Sequence, residues 1–168
     1  MQLRQSISYY RNFIFGVEDS LVSTVGLLAG IAAAGADRDT VLLTGVVLIF
    51  VEAFSMSAGS FLSESAAEEY GARASPEHPT DREPIFAASI MFASYFVSGF
   101  IPLAPYIALP VGEALVYSIG LSLASLAILG AIGSSVSHRS LVRSVLRMVV
   151  IGGIAIGVGI GAGLLIGF

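Results

Sequence analysis

A carboxylate and a thioether stand inside a long hydrophobic stretch of the chain, in residues 51–65, VEAFSMSAGSFLSES. On a helix, Glu52, Met56 and Ser63 share one face, because they are spaced by four and seven residues. Residues 41–51 before them are almost wholly apolar, so a helix that continues through both segments places Glu52 at membrane depth. A charge there costs roughly 2.5 to 3.5 kcal/mol, and we therefore predict that Glu52 is functional.

A second intramembrane carboxylate is predicted at Asp19, near the start of an earlier apolar segment. On a helix, Asp19 shares a face with Ser23, Gly26 and Gly30. Two glycines four residues apart form a surface that lets another helix approach closely. The pattern thus joins a carboxylate to a helix-packing surface. The neighbouring Glu18 points about 100° away on the helix, and its role stays open.

The chemistry that these side chains offer is the binding of a divalent cation. Carboxylates are hard ligands, and the thioether of Met56 adds a soft one, which favours Fe²⁺ over Mg²⁺ or Ca²⁺. Structural explanations stay open for each residue. Asp19 could extend toward the membrane surface, Glu52 could be a protonated carboxyl bonded to a serine, and Met56 could fill the core.

Composition defines the class of protein. Of the 168 residues, 55% are hydrophobic and 12% are charged, where a soluble domain carries about 25% charged residues, and the mean hydropathy is +0.88. The absence of cysteine excludes disulfides and thiolate metal sites. The net charge of -4 and the lack of a basic patch argue against nucleic-acid binding. No catalytic spacing is present, so we predict neither an enzyme nor a prosthetic group.

The elements that must position the candidate residues are membrane-spanning helices. We predict an all-α integral membrane protein with a single transmembrane domain over residues 1–168. The first two spans form an antiparallel hairpin, and Pro102 and Pro105 break the third span near its end. A polar, aromatic lead-in precedes the first span, and residues 64–84 form a short helix extension and linker. The predicted spans are about 13–35, 41–63, 85–108, 113–135 and 148–168.

Orientation is predicted from the arginines, since the chain contains no lysine. With five spans the two ends lie on opposite sides of the membrane. All arginines except Arg38 fall on the side of the N-terminus, which the positive-inside rule makes cytoplasmic. We therefore expect Phe168 outside, in a prokaryotic plasma membrane. The arginines on the cytoplasmic side are Arg4, Arg11, Arg73, Arg82, Arg139, Arg143 and Arg147.

Acidic residues follow the second span, namely Glu64, Glu68 and Glu69. One interpretation is a cluster at the pathway mouth that attracts metal ions, helped by His78, because paired carboxylates raise the local cation concentration. The other is a solvated helix end that is paired with Arg73 and Arg82. The sequence leaves both open.

Glycines form two lines on the fifth span. Gly153, Gly157 and Gly161 share one line, and Gly159 and Gly163 share an adjacent one. The substring GVGIGAG is similar to a dinucleotide-binding loop, but no strand or soluble βαβ unit surrounds it. We therefore interpret these glycines as helix-packing surfaces.

Two stretches of the chain resemble the vacuolar iron transporter family, FIFGVEDSLVSTVGLLAGIAAAG and VEAFSMSAGSFLSESAAEEY. Members have a Phe-Gly-x-x-Asp-Gly-x-x-Ser pattern in the first helix and a Ser-Met-x-x-Gly-x-x-x-Ser pattern in the second. The resemblance implies a homodimer of five-helix subunits that exports Fe²⁺, and often Mn²⁺, from the cytosol in exchange for protons. It also implies an ion pathway at the dimer interface, between the first helices, and we therefore expect the face with Ser23, Gly26 and Gly30 to lie at that interface.

The resemblance assigns individual residues. Asp19 matches the pathway aspartate of the family and Met56 its pathway methionine. Plant members carry a glutamate two turns before this methionine, where this chain has Leu48, while Glu52 lies one turn before it. That difference keeps the helix face and moves the carboxylate about 6 Å along the axis. We predict a metal site of Asp19, Glu52 and Met56.

The sequence also departs from the family pattern. Ser20 stands where members usually have glycine, and Glu18 where asparagine or serine is common. The chain lacks the glutamate-rich cytosolic insert of eukaryotic members, as expected of a short prokaryotic-type member. The predicted function is proton-coupled export of a divalent metal, Fe²⁺ or Mn²⁺. The alternatives are a transporter or channel of the same architecture for another substrate, and a non-transporting membrane subunit.

Overall fold

The computed structural model describes the backbone of residues 2–74, 82–137 and 140–167, and the side chains of 6–70, 83–135 and 140–167. Within these ranges all regular structure is α-helical, and each helix contains a stretch that is long and apolar enough to cross a bilayer. The prediction of an all-α protein with five spans is therefore confirmed. The helices are α1 (Gln2–Ala33), α2 (Arg38–Ala74), α3 (Arg82–Ala108), α4 (Val111–Ser137) and α5 (Leu141–Ile166).

The first two helices are longer than a membrane is thick. With 32 and 37 residues, α1 and α2 are about 48 and 55 Å long, whereas the hydrocarbon core spans about 30 Å. A short turn at residues 34–37 joins them, so they run antiparallel. We call the side of this turn the turn side and the opposite side, where α1 begins and α2 ends, the N-terminal side.

All five helices begin before the predicted spans, and two of them, α1 and α5, do so by seven residues or more. The polar lead-in before the first span is part of α1, which begins at Gln2, and α5 begins at Leu141, seven residues before the predicted 148. Arg143 and Arg147 consequently lie on α5 rather than in a loop, and both are exposed. A helix satisfies its own backbone groups near the membrane surface, and long arginine side chains reach water from it.

The prediction that Pro102 and Pro105 break the third span is wrong. Both prolines lie inside α3, which continues to Ala108. A proline removes one backbone donor and leaves the carbonyl four residues earlier without its helical partner, and membrane helices tolerate this loss where they pack against neighbours. Ser118 of α4 donates a hydrogen bond of 2.7 Å to the carbonyl of Pro102. The prolines are buried between helices and do not mark an end.

At the turn side, Arg38 explains why one arginine departs from the charge asymmetry. Its guanidinium donates to the carbonyl of Tyr106 at 2.8 Å and to the carbonyl of Ile107. These carbonyls belong to the last turn of α3, where a positive charge is favourable. Asp37 begins α2 by accepting a 2.8 Å bond from the backbone of Thr40, and the hydrogen bonds of Thr40 hold the pKa of Asp37 below its ordinary value.

The helix α3 is central to the bundle, since it packs against α1, α2 and α4. The helix α1 packs mainly against α3 and α5, and its contact with α2 is smaller. One buried cluster includes Leu28, Ile49, Leu103 and Tyr106, from three different helices. Large hydrophobic side chains of α2, α4 and α5 remain exposed, as expected of helices that face lipid.

The glycine face of α1 packs within the chain. A Cβ added at Gly30 would lie 2.6 Å from the carbonyl oxygen of Gly159 on α5, and Gly159 and Gly163 contact the backbone of α1 in turn. The expectation that Gly26 and Gly30 line an interface between two subunits is therefore wrong, because α5 of the same chain covers them. The sequence showed that a helix approaches this face closely but not which helix.

Candidate metal-transport site

Asp19 and Glu52 lie at the same depth in the bundle. Asp19 is 14 residues before the end of α1 at Ala33, and Glu52 is 14 residues after the beginning of α2 at Arg38. At 1.5 Å per residue, both are about 21 Å from the turn side. The antiparallel arrangement thus sets the two carboxylates side by side, well inside the hydrophobic stretches of their helices.

The two carboxylates are within electrostatic range of each other. Both side chains are half-buried. Among the side chains of residues 6–70, 83–135 and 140–167, neither accepts a hydrogen bond or forms an ion pair. The alternative in which Glu52 bonds to a serine therefore has no partner in this part of the structure. Two like charges at membrane depth favour a bound cation or a bound proton between them.

The third helix completes the surroundings of the site with Tyr95. The Tyr95 hydroxyl forms a 2.7 Å hydrogen bond with the Ser23 hydroxyl, one turn from Asp19. The backbone carbonyl of Tyr95 accepts a 2.7 Å bond from Ser20, which directly follows Asp19. Tyr95 is fully buried and lies within electrostatic range of both Asp19 and Glu52.

Gly99 allows α3 to approach α1 and α2 at this level. A Cβ added there would lie 2.8 Å from Cγ1 of Ile49 on α2 and 2.9 Å from Oγ of Ser20 on α1. Real Cβ atoms essentially never come this close to such atoms. The glycine therefore brings together the segments that carry Asp19 and Glu52.

Met56 lies one turn from Glu52 on α2 and is also half-buried. The predicted residues thus share a region that the chain leaves partly open. Within the described ranges, no group of three or more His, Cys, Asp or Glu side chains is placed to hold a metal ion.

Glu18, which the sequence left undecided, has a different environment from Asp19. It lies within electrostatic range of Arg147 on α5 as well as of Asp19. The predicted rotation of about 100° between neighbouring side chains agrees with this contact to a different helix. Glu18 therefore has a cationic neighbour on α5, unlike Asp19.

A second carboxylate contact between α1 and α2 lies at the N-terminal side, around Glu64. Its Oε1 accepts a 2.6 Å bond from Ser8, forms a salt bridge with Arg11, and lies 3.4 Å from Nδ2 of Asn12. Asn12, which is 4% exposed, accepts a 2.7 Å bond from Ser60 through Oδ1. We call these residues, Ser8, Arg11, Asn12, Ser60 and Glu64, the polar clamp.

The clamp changes the interpretation of the predicted acidic cluster. Glu64 lies 12 residues from Glu52, about 18 Å along α2, so the structure does not bring it to the candidate site. Among the described side chains, Glu64 forms its salt bridge with Arg11. Glu68 is half-buried and Glu69 is exposed. The side chains of Arg73 and Arg82, and the predicted helper His78, lie outside the described residues.

Sequence reasoning missed Tyr95 and Asn12. Tyr95 stands in an apolar segment without a motif, and only its contact with Ser23 reveals its position. Asn12 was assigned to a polar lead-in, although an amide one residue before the predicted span could have indicated a helix contact.

A bundle of membrane-spanning helices with unpaired carboxylates at mid-depth has the features of a transporter. The sequence model of the VIT family matches residues 10–78 and 66–164 of the chain, and the chain belongs to this family. The family consists of transporters, which confirms that the chain is not an enzyme. The chain is also 27% identical, over 169 aligned positions, to "Vacuolar iron transporter homolog 5" of Oryza sativa subsp. japonica. That alignment covers 94% of this chain and 80% of the relative.

Proposed function

We propose that the chain is a subunit of a proton-coupled transporter that exports a divalent metal, Fe²⁺ or Mn²⁺, from the cytosol. The observation that carries the proposal is the pair Asp19 and Glu52, two half-buried carboxylates at one membrane depth without a described ion-pair partner. Burying such groups is costly, and function is the usual reason for keeping them. The relative's name, which specifies iron, supports the choice of metal.

The same carboxylates couple the flux of the metal ion to the flux of protons. An ionised carboxylate pair binds a divalent ion, and the same pair without the ion binds protons, because like charges at this depth disfavour full ionisation. Metal leaving one side and protons entering from the other then use the site in turn. Met56 supplies a soft ligand, which favours Fe²⁺ over Mg²⁺ when the carboxylates alone would not discriminate strongly.

A homodimer would complete the coordination. One chain supplies Asp19, Glu52 and Met56, all half-buried, and divalent ions usually take more ligands than these. A second copy related by a twofold axis would double the ligands and cover the open side of the site. The face concerned carries Asp19, Glu52 and Met56, and it excludes the glycines of α1 that α5 covers.

The N-terminal side is proposed to face the cytoplasm, in a prokaryotic plasma membrane, because the arginines concentrate there. The native chain has no cysteine, so single cysteines report accessibility cleanly. Cysteine at Tyr70, which is 78% exposed, should react only with a reagent on the cytoplasmic side. Cysteine at Asp39, exposed at the turn side, should react only from outside. Labelling of both from the same side would refute five spans.

Transport by the purified protein tests the function. Proteoliposomes are given Fe²⁺ under reducing conditions, Mn²⁺ or Zn²⁺, with the internal pH set above, equal to or below the external pH. We expect Fe²⁺ or Mn²⁺ flux that an opposing proton gradient accelerates, and metal-driven pH change in the lumen. Metal flux that is indifferent to the proton gradient would refute coupling. No flux of any of these metals would favour another substrate or a non-transporting subunit.

A further inference from the structure

Tyr95 makes two contacts with α1, which lie about one helical turn apart. Its hydroxyl bonds to Ser23 and its backbone carbonyl accepts from Ser20, each at 2.7 Å. The two serines are three residues apart, so both lie on the side of α1 that faces α3. Rotation of α1 about its axis would break both bonds, and the first of them depends on the tyrosine hydroxyl alone.

The same tyrosine lies beside both candidate carboxylates. It is fully buried, and Asp19 on α1 and Glu52 on α2 are within its electrostatic range. Asp19 directly precedes Ser20 and lies one turn before Ser23, so both contacts with Tyr95 fall within one turn of Asp19. The aspartate itself has no described hydrogen-bond donor that could orient it.

We propose that Tyr95 is a positioning residue of the metal site: through its bond to Ser23 it fixes the rotation of α1 and thereby the direction in which Asp19 faces Glu52. This inference rests on the proposed function, because it assigns Tyr95 to the same site. Removal of a group that orients a metal ligand without touching the metal itself typically lowers metal affinity by 10- to 100-fold. Tyr95 acts on the ligand through the backbone of α1, so the effect belongs at the low end of that range.

The chain offers a matched control in Tyr106. It is the other fully buried tyrosine of α3, and its hydroxyl lies near Ser118 of α4 but has no hydrogen-bond partner among the described residues. Tyr95→Phe and Tyr106→Phe remove the same atom at the same burial from the same helix. A loss common to both variants reports general packing, and a loss specific to Tyr95→Phe reports the contact with α1.

The experiment measures Mn²⁺ flux in proteoliposomes and the thermal midpoint of the purified protein with and without Mn²⁺. We expect Tyr95→Phe and Ser23→Ala each to raise the KM for Mn²⁺ about tenfold with kcat little changed. The double variant should match the single ones, because both remove one bond. The Mn²⁺-induced rise in thermal midpoint should shrink in Tyr95→Phe and stay at the wild-type value in Tyr106→Phe.

A wild-type KM in Tyr95→Phe, an equal rise in Tyr106→Phe, or additive effects of Tyr95→Phe and Ser23→Ala would each overturn the positioning role. These outcomes leave metal transport by the wild type intact and are therefore distinct from a failure of the proposed function. Absence of Mn²⁺ and Fe²⁺ flux in the wild type would refute the proposed function and this inference together.

Discussion

The contact between α1 and α2 carries carboxylates at two levels, and they have opposite environments. In the polar clamp at the N-terminal side, Glu64 is bonded by Ser8 and Arg11 and lies near Asn12. About 18 Å further along α2, Glu52 lies beside Asp19, and neither has a hydrogen bond or ion pair among the described residues. Glu64 thus has its hydrogen-bond and ionic partners within the chain, whereas Asp19 and Glu52 are available to an external cation or proton. We call the level of Asp19 and Glu52 the unpaired level.

The difference shows how to distinguish structural from functional acids in a membrane bundle. A buried carboxylate that holds two helices together must have its donors nearby, since an unpaired charge is costly. A carboxylate that binds and releases a transported ion cannot have a permanent cationic partner, because that partner would compete with the ion. By this criterion we expect Glu64 to stabilise the bundle, and Asp19 and Glu52 to bind the transported ion.

The largest expected effect is the loss of transport when the charge of Asp19 or Glu52 is removed. We predict that Asp19→Asn and Glu52→Gln each lower Mn²⁺ or Fe²⁺ flux about 100-fold or more, equivalent to about 2.8 kcal/mol. The amides keep the shape but neither neutralise the metal nor carry a proton through the cycle. Flux in proteoliposomes, with size-exclusion profiles as the check on folding, measures this. Transport at the wild-type rate in both variants would remove the distinction between the two levels.

Replacing the soft ligand should have a smaller effect. Met56→Leu keeps the volume of the side chain and removes the thioether. We expect the KM for Fe²⁺ to rise about tenfold, or 1.4 kcal/mol, and the preference for Fe²⁺ over Mg²⁺ to decrease. Competition of Mg²⁺ with Fe²⁺ uptake measures the preference. Unchanged selectivity would assign Met56 to packing alone.

Breaking the polar clamp should affect stability more than transport. Glu64→Gln removes a salt bridge to Arg11, which is 67% exposed, and weakens the bonds from Ser8 and Asn12. Because the arginine is largely solvated, we expect a loss of only about 1 kcal/mol. Thermal unfolding in detergent measures it, with the exposed Glu69→Gln as the control that should change little. A Glu64→Gln variant that is stable but inactive would place Glu64 among the transport residues.

The smallest expected effect concerns attraction of cations to the pathway mouth. Glu64 also forms the salt bridge with Arg11, so the test is made at Glu68 and Glu69, where that salt bridge is left intact. Changing both to glutamine should raise the KM for metal about twofold at low ionic strength and not at physiological salt, where screening acts over about 8 Å. The KM measured at two salt concentrations decides this. Equal KM values at low salt would make these residues part of the solvated helix end.

The sequence was sufficient to identify the helices and the depth of Asp19 and Glu52. Hydropathy separates spans from turns because backbone groups in lipid must be bonded within a helix. The depth of Asp19 and Glu52 followed from their distance to the ends of apolar segments. The packing partners of each helix could not be obtained in this way. A leucine that faces lipid and a leucine that faces another helix are both in apolar surroundings, so hydropathy does not distinguish them.

The errors share that cause. Gly26 and Gly30 were assigned to a partner subunit, but α5 of the same chain covers them. Pro102 was expected to end a helix, but α3 continues through it and packs against α4. Tyr95 carries no sequence signal, since its position depends on the rotation of α3 relative to α1. Each feature depends on a neighbour that is distant in the sequence.

Direct titration with Mn²⁺ tests most closely whether the unpaired level binds the ion. Free Mn²⁺ gives a six-line electron paramagnetic resonance signal that weakens when the ion binds, so the purified protein can be titrated without a transport assay. We predict that wild-type protein and Glu64→Gln bind Mn²⁺ with equal affinity, and that Asp19→Asn and Glu52→Gln do not bind it at the same concentrations. Wild-type binding in Asp19→Asn and Glu52→Gln together with lost binding in Glu64→Gln would contradict the assignment and move the metal site to the polar clamp.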